Sequence, residues 1–158
     1  MATTLNDLAN LYKDKNNYPA AEAGYKRALE IYERLAANNP QTYEPDLALT
    51  LNNLANLYYH KNDYPAAEAA YKRALEICER FAANNPQTYE PYVAGTLNNL
   101  GFLYKAWLEA TADKSYREKG LDYILQLEKV LETCPDIPVV LKYNRNVEYL
   151  MEYFNTAK

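Results

Sequence analysis

The chain has 158 residues, 24% of them charged, a net charge of −4 and a pI near 5.1, which removes any electrostatic pull toward nucleic acid or an anionic membrane surface. No apolar run approaches the length that a bilayer span needs, and the first residues lack the hydrophobic region of a signal peptide. The two cysteines, Cys78 and Cys134, are not spaced as a CxxC pair, so a reducing, cytoplasmic setting with no membrane association is the expectation.

In chain order, Met1-Ala2-Thr3 precedes a stretch from Thr4 to Ala48, TLNDLANLYKDKNNYPAAEAGYKRALEIYERLAANNPQTYEPDLA, which returns almost unchanged from Thr50 to Ala94. A third copy opens as TLNNLGFLYK at Thr96 and then drifts, so Thr4, Thr50 and Thr96 are equivalent and the period is 46 residues. A fixed period of that size marks a solenoid, whose units bury their apolar faces by stacking on their neighbours. The first copy has only Met1-Ala2-Thr3 where the later ones have Glu-Pro-Asp-Leu-Ala or Glu-Pro-Tyr-Val-Ala, and a chain cut from a longer array is the expectation.

Each unit reads as two helices. Leu51, Leu54, Leu57 and Tyr58 recur at helical spacing in the first, and Ala67, Tyr71, Ala74, Cys78 and Phe81 form one stripe in the second. Between them, Asn62 suits the left-handed residue that ends a helix, Asp63 an N-cap and Pro65 the first turn. So short a turn makes the two helices antiparallel. Asn85-Pro86 ends the second helix, because a residue before proline is pushed out of helical angles. The stretches Asn38 to Pro45 and Asn84 to Pro91 then read as loops anchored by Tyr43 and Tyr89, with the second proline of each opening the next helix.

After Tyr104 the pattern changes. Lys105 to Ala110 prolongs the first helix, and Gly120, Ile124, Leu127 and Leu131 carry the stripe of a second helix over Tyr116 to Glu132. Aligning Gly120 with Ala67 and Ile124 with Tyr71 implies a seven-residue insertion, close to two helical turns, which preserves the facing of the helix. Asp136-Ile137-Pro138 then starts a last helix whose apolar face is Val140, Tyr143, Val147, Leu150 and Phe154. It reads as a cap over the open end of the third pair.

The leading Leu, the following Leu and small residue, the Tyr, and then small, aromatic, small are the pattern that carries a family likeness. Leu5, Leu8, Ala9, Tyr12, Ala21, Tyr25 and Ala28 follow it, as do Leu51, Leu54, Ala55, Tyr58, Ala67, Tyr71 and Ala74. The unit resembles a tetratricopeptide repeat, of the long type found in kinesin light chains and their bacterial relatives. Glu33 and Glu79 stand where that family usually has proline, so the second helix continues. The resemblance implies an all-α, right-handed superhelix of three helix pairs plus a capping helix, with the first helices lining a concave groove. The expected organisation is a single domain over 1–158, with repeats at about 4–48, 50–94 and 96–133 and the cap at about 137–156.

Catalytic chemistry is absent from the pattern. His60 is the lone histidine, no Cys/His spacing forms a metal cage, and there is neither a Gly-rich phosphate loop nor a nucleophile elbow. An enzyme is therefore not expected, nor a metal or other cofactor. Glu22, Glu30 and Glu33 read as solvated charges, and Lys26-Arg27 and Lys72-Arg73 as balanced helix pairs.

The positive signal is asparagine in mid-helix, where it costs stability relative to Ala. The groove positions that the resemblance implies are Asn6, Asp7 and Asn10; Asn52, Asn53 and Asn56; and Asn98, Asn99 and Phe102. An amide offers both donor and acceptor, the pair that reads a peptide backbone. One asparagine per repeat is expected to hold neighbouring repeats and the rest to meet ligand. The candidate peptide-binding set is Asn6, Asn10, Lys13, Asn52, Asn53, Asn56, Tyr59, Asn98, Asn99 and Lys105, with His60 on the same rim. Replacing Asn52, Asn56 and Asn98 by Ala is expected to remove binding and spare the fold. The partner is a protein or extended peptide; the alternative is a structural scaffold that self-associates through its repeat ends.

Overall fold

The computed structural model describes residues 1–134, 138 and 142–156. Among these residues the regular structure is entirely α-helical: α1 (Ala2–Asp14), α2 (Tyr18–Ala36), α3 (Pro40–His60), α4 (Tyr64–Ala82), α5 (Pro86–Thr111), α6 (Ser115–Thr133) and α7 (Asn144–Thr156). Two compact units divide the chain, Met1–Ile77 and Cys78–Lys158, with the boundary inside the last turns of α4.

The turns within the first two repeats form as the residues dictate. Asn16 and Asn62 take the left-handed conformation, at φ 57° and 59°. The side chain of Asn17 then accepts from the Ala20 amide, and that of Asp63 from the Ala66 amide, each satisfying a donor that the helix start leaves free.

The stretches between repeats differ from the expectation. Asn38 to Pro45 and Asn84 to Pro91 are mostly helix, and it is the first proline of each, Pro40 and Pro86, that opens α3 and α5. Asn39 and Asn85 cap these helices by accepting from the Thr42 and Thr88 amides. Asn-Pro thus stops one helix and starts the next, since the asparagine side chain satisfies an orphan amide and the proline has none to satisfy. Pro45 and Pro91 lie inside the helices, each at the cost of one backbone hydrogen bond. Tyr89 is accordingly helical, and its ring lies 5.1 Å from that of Phe81.

In the first unit α1 packs on α2, and α2 on α3. The small residues mark the close approach: Ala9, Ala21, Ala28, Ala55, Ala67 and Ala74 are all fully buried. A Cβ on Gly24 would come within 2.9 Å of the Ala9 Cβ, so even one methyl group presses on that contact. Charges reinforce the stacking rather than merely facing water. Glu22 of α2 accepts from Lys26 on its own helix (2.7 Å) and from Lys61 (2.5 Å), just beyond the end of α3. Glu33 of α2 pairs with Arg73 of α4 at 2.6 Å.

In the second unit α5 packs on α6, and α7 covers α6 while touching α5. A Cβ on Gly101 would fall 2.3 Å from Ile124 Cδ1, and one on Gly120 2.3 Å from Phe154 Cζ. Both glycines therefore sit at close contacts with side chains of the facing helices. The prolonged end of α5 stacks Trp107 on Tyr116 at 4.3 Å, beside the buried Tyr104 ring. Arg117 of α6 donates to the carbonyls of Phe154 and Asn155, supplying a cation and donors to the exposed C-terminal end of α7. Near the expected start of the last helix, Pro138 is helical. Lys142 and Tyr143 form a turn, and α7 begins at Asn144. The expected contributions of Asp136, Ile137 and Val140 lie outside the described residues.

Two predictions follow from this packing. Ala67→Leu forces three further carbons into a site with no exposed surface and should cost about 1–3 kcal/mol, read as a lower midpoint in chemical denaturation. For Glu22, the hydrogen bond from Lys26 and then that from Lys61 hold the carboxyl below its ordinary pKa of 4.5. Its stabilisation is therefore complete at neutral pH and is lost as the pH falls below 4.5. Because the lysines are largely exposed, Glu22→Gln should cost only about 0.5–1 kcal/mol at neutral pH. Thermal melts should show that gap closing in acid.

Candidate binding surface

The ten candidate residues lie on the first helix of each pair: Asn6, Asn10 and Lys13 on α1; Asn52, Asn53, Asn56 and Tyr59 on α3; Asn98, Asn99 and Lys105 on α5. Much of their hydrogen-bonding capacity is used within the fold.

Asn6 and Asn98 are buried. Asn53 Nδ2 donates to Asn6 Oδ1 at 3.2 Å, joining α3 to α1, and Asn146 Nδ2 of α7 donates to Asn98 Oδ1 at 2.8 Å. Asn10 Oδ1 accepts from the Tyr25 hydroxyl, and Asn56 Oδ1 from the Tyr71 hydroxyl, both at 2.6 Å. Burial pushes the Tyr25 hydroxyl up to about 12, with the charge of Asp14 adding to it, and raises that of Tyr71 further. Both phenols therefore stay protonated and remain donors. The third repeat has Phe102 in place of the asparagine and Ile124 in place of the tyrosine, an apolar pair where the others have a polar one.

Asn56 and Asn98, expected to meet ligand, each have the amide oxygen occupied within the fold. A phenol buried in a tight helix crossing needs an acceptor, and the amide of the partner helix is within reach. The same applies to Asn6 and Asn10, whose amide oxygens are also occupied. Asn52, half-buried, donates to the Ala48 carbonyl of its own helix at 3.4 Å.

What remains accessible differs between the units. In the first, Asn53 and Tyr59 are half-exposed on α3 and Lys13 on α1, with the Tyr59 and His60 rings 5.6 Å apart. In the second, Asn99 is half-exposed, with no side-chain hydrogen bond among the described residues. Lys105 Nζ pairs with Glu109 at 2.6 Å and lies 4.7 Å from the Tyr153 ring centre and 6.0 Å from that of Tyr149. Burial opposes the Lys105 charge, but the Glu109 hydrogen bond and charge outweigh it, so the amine stays above its ordinary value.

Phe102 and Tyr149 stack at 6.3 Å, and Tyr149 is 49% exposed. Phe102, Tyr149 and Tyr153 are the surface residues that the asparagine pattern did not select. Their signal was the break in that pattern at Phe102, together with the register of Asn146 against Asn53 and Asn99. Among the described residues no group of His, Cys, Asp and Glu could hold a metal ion, and no helix is long and apolar enough to cross a membrane.

Removing one member of a buried polar pair leaves the other unsatisfied. Asn56→Ala should therefore destabilise the chain by about 1–3 kcal/mol, and Asn56→Ala with Tyr71→Phe should recover most of that loss. Denaturation of the single and double variants measures both.

Comparison with known proteins agrees with the all-α repeat fold. A tetratricopeptide repeat model matches residues 1–80. The crystal structure of BtubC (BKLC) from P. vanneervenii is similar in fold, with a TM-score of 0.55 and 22% identity over 99% of this chain. The chain spans 65% of that protein's length. No curated protein matches it.

Proposed function

The chain belongs to the tetratricopeptide repeat family, and from that premise we propose that it is a non-catalytic module, working as one domain in the cytoplasm, that holds an extended segment of a protein partner. Repeats of this family generally mediate protein–protein interaction or scaffolding. The observation that carries the reading is the face formed by α5 and α7. There Asn99, with an amide not bonded among the described residues, stands on the same helix as Phe102 and Lys105, and Tyr149 and Tyr153 adjoin them. Aromatic rings beside an amine and an open amide can take apolar side chains and a peptide backbone together. Asn53, Tyr59 and Lys13 offer a smaller, more polar surface in the first unit. Asn6, Asn10, Asn56 and Asn98 serve binding only by holding the helices in place.

Selection of a random peptide library on the immobilised chain, followed by calorimetry with a selected peptide, tests this. Asn99→Ala should weaken binding by about two- to tenfold, and Phe102→Ala with Tyr149→Ala by tenfold or more, with circular dichroism unchanged. Full affinity in the double variant would place the ligand elsewhere.

A further inference from the structure

We infer that Glu109 sets the charge preference of the face formed by α5 and α7, so that the segment held there carries a basic side chain about three residues from an apolar one. The inference rests on the binding reading above and specifies the chemistry of the segment.

The amine of that face is committed within the fold. Lys105 Nζ is held by Glu109 at 2.6 Å and lies 4.7 Å from the Tyr153 ring centre and 6.0 Å from that of Tyr149. The Lys105 side chain is 17% exposed, whereas that of Glu109 is 51% exposed. The outward charge of the pair is therefore the carboxylate. An acidic segment would have to approach that carboxylate and compete with it for the amine. A basic segment can reach it with the Lys105 bond in place. Burial, and after it the Glu109 charge, raises the Tyr153 hydroxyl, so the carboxylate also stands beside that ring. The other exposed charges flanking Tyr149 on α7 do not alter the balance. Arg145 and Glu152, four residues before it and three after, are opposite in sign, and Glu148 lines the cleft toward α6 with Glu128 and Glu132.

Glu109 belongs to the part of α5 that the earlier first helices lack. α1 and α3 end at Asp14 and His60, both equivalent to Ala106, while α5 runs on to Thr111. The lengthening thus adds a charged end to an aromatic surface. Seven residues, about 10 Å of helix, separate Glu109 from Phe102, whose ring stacks on Tyr149. An extended segment advances about 3.3 Å per residue. An apolar side chain seated on Phe102 and Tyr149 therefore brings a residue three positions away to Glu109. A lysine or arginine there meets the carboxylate and the neighbouring Tyr153 ring, and such rings attract cations. Asn99, three residues before Phe102, is left to the backbone of the segment.

The test is parallel selection of a random peptide library on the wild-type chain and on Glu109→Gln, followed by calorimetry with a peptide selected on the wild type. Wild-type selections should be enriched in Lys or Arg about three residues from an apolar residue, and Glu109→Gln selections should lose that enrichment. Replacing the basic residue of the peptide by Gln should weaken binding to the wild type by about two- to fivefold. The same replacement should leave binding to Glu109→Gln unchanged, and high salt should narrow the wild-type difference. Circular dichroism checks that Glu109→Gln keeps its helices. Peptides that need Phe102 and Tyr149 but carry no basic residue overturn this inference and leave the binding reading standing, as does a basic-residue effect that survives Glu109→Gln. Peptides indifferent to Phe102→Ala with Tyr149→Ala overturn both.

Discussion

Two first helices of this chain, α1 and α5, each bury an amide that the helix does not satisfy alone. Asn6 and Asn98 lie under neighbouring helices, and each accepts from an asparagine on the next helix of its kind, Asn53 in one case and Asn146 in the other. An unpaired buried amide costs roughly 1–3 kcal/mol, so each such helix requires a successor in one register. Apolar stacking alone would not impose that. Leu54 or Val147 could slide by a turn and still be buried, whereas the amide pair fits at a single setting. Polar specification of register at some cost in stability is a known use of buried asparagine.

The second asparagine of each unit has a different task with the same logic. A helix pair that closes around Ala9 and Ala21 leaves room for a ring at Tyr25, but the ring brings a hydroxyl into a dry contact. Asn10 accepts it at 2.6 Å. The third repeat solves the problem by deletion: with Ile124 there is no hydroxyl, and Phe102 needs no amide. Freed from that task, the position points an aromatic ring at Tyr149. The accessible surface of the second unit is thus a by-product of a simpler core.

This also sets what could be read from residues alone. The repeat, the helix pairing, the Asn62-Asp63 turn and the lengthening after Tyr104 were all legible, because each depends on spacing or on a local backbone preference. The Tyr–Asn pairing was legible in principle, since Asn10 goes with Tyr25 and Asn56 with Tyr71, while Phe102 goes with Ile124. It went unread because the amides were weighed against helix propensity, ligand and the neighbouring repeat, and not against the second helix of their own pair. Asn39-Pro40 and Asn85-Pro86 were read as stops only, though the same dipeptide is a cap and a first turn. Glu22 and Glu33 were set down as solvated, since nothing in their own helices shows that Lys61 and Arg73 reach them from the next repeat.

The least legible element is α7, and its sequence separates two demands that the earlier helices mix. A first helix must seat on the pair before it and must admit a second helix of its own. α7 is followed by none among the described residues. What it keeps is what seating needs: Asn146 for the buried amide, Val147 and Leu150 for the apolar face, and Phe154 over Gly120. What it drops is what pairing needs, for the small residue that lets two helices approach has become Glu148, exposed to solvent. The leading leucine has gone as well, to Asn144. Too few positions survive for the likeness to show in the sequence, yet those that do are the ones with a physical claim on the neighbour. The amide bond is therefore what α7 shares with α3, more plainly than the leucines around it.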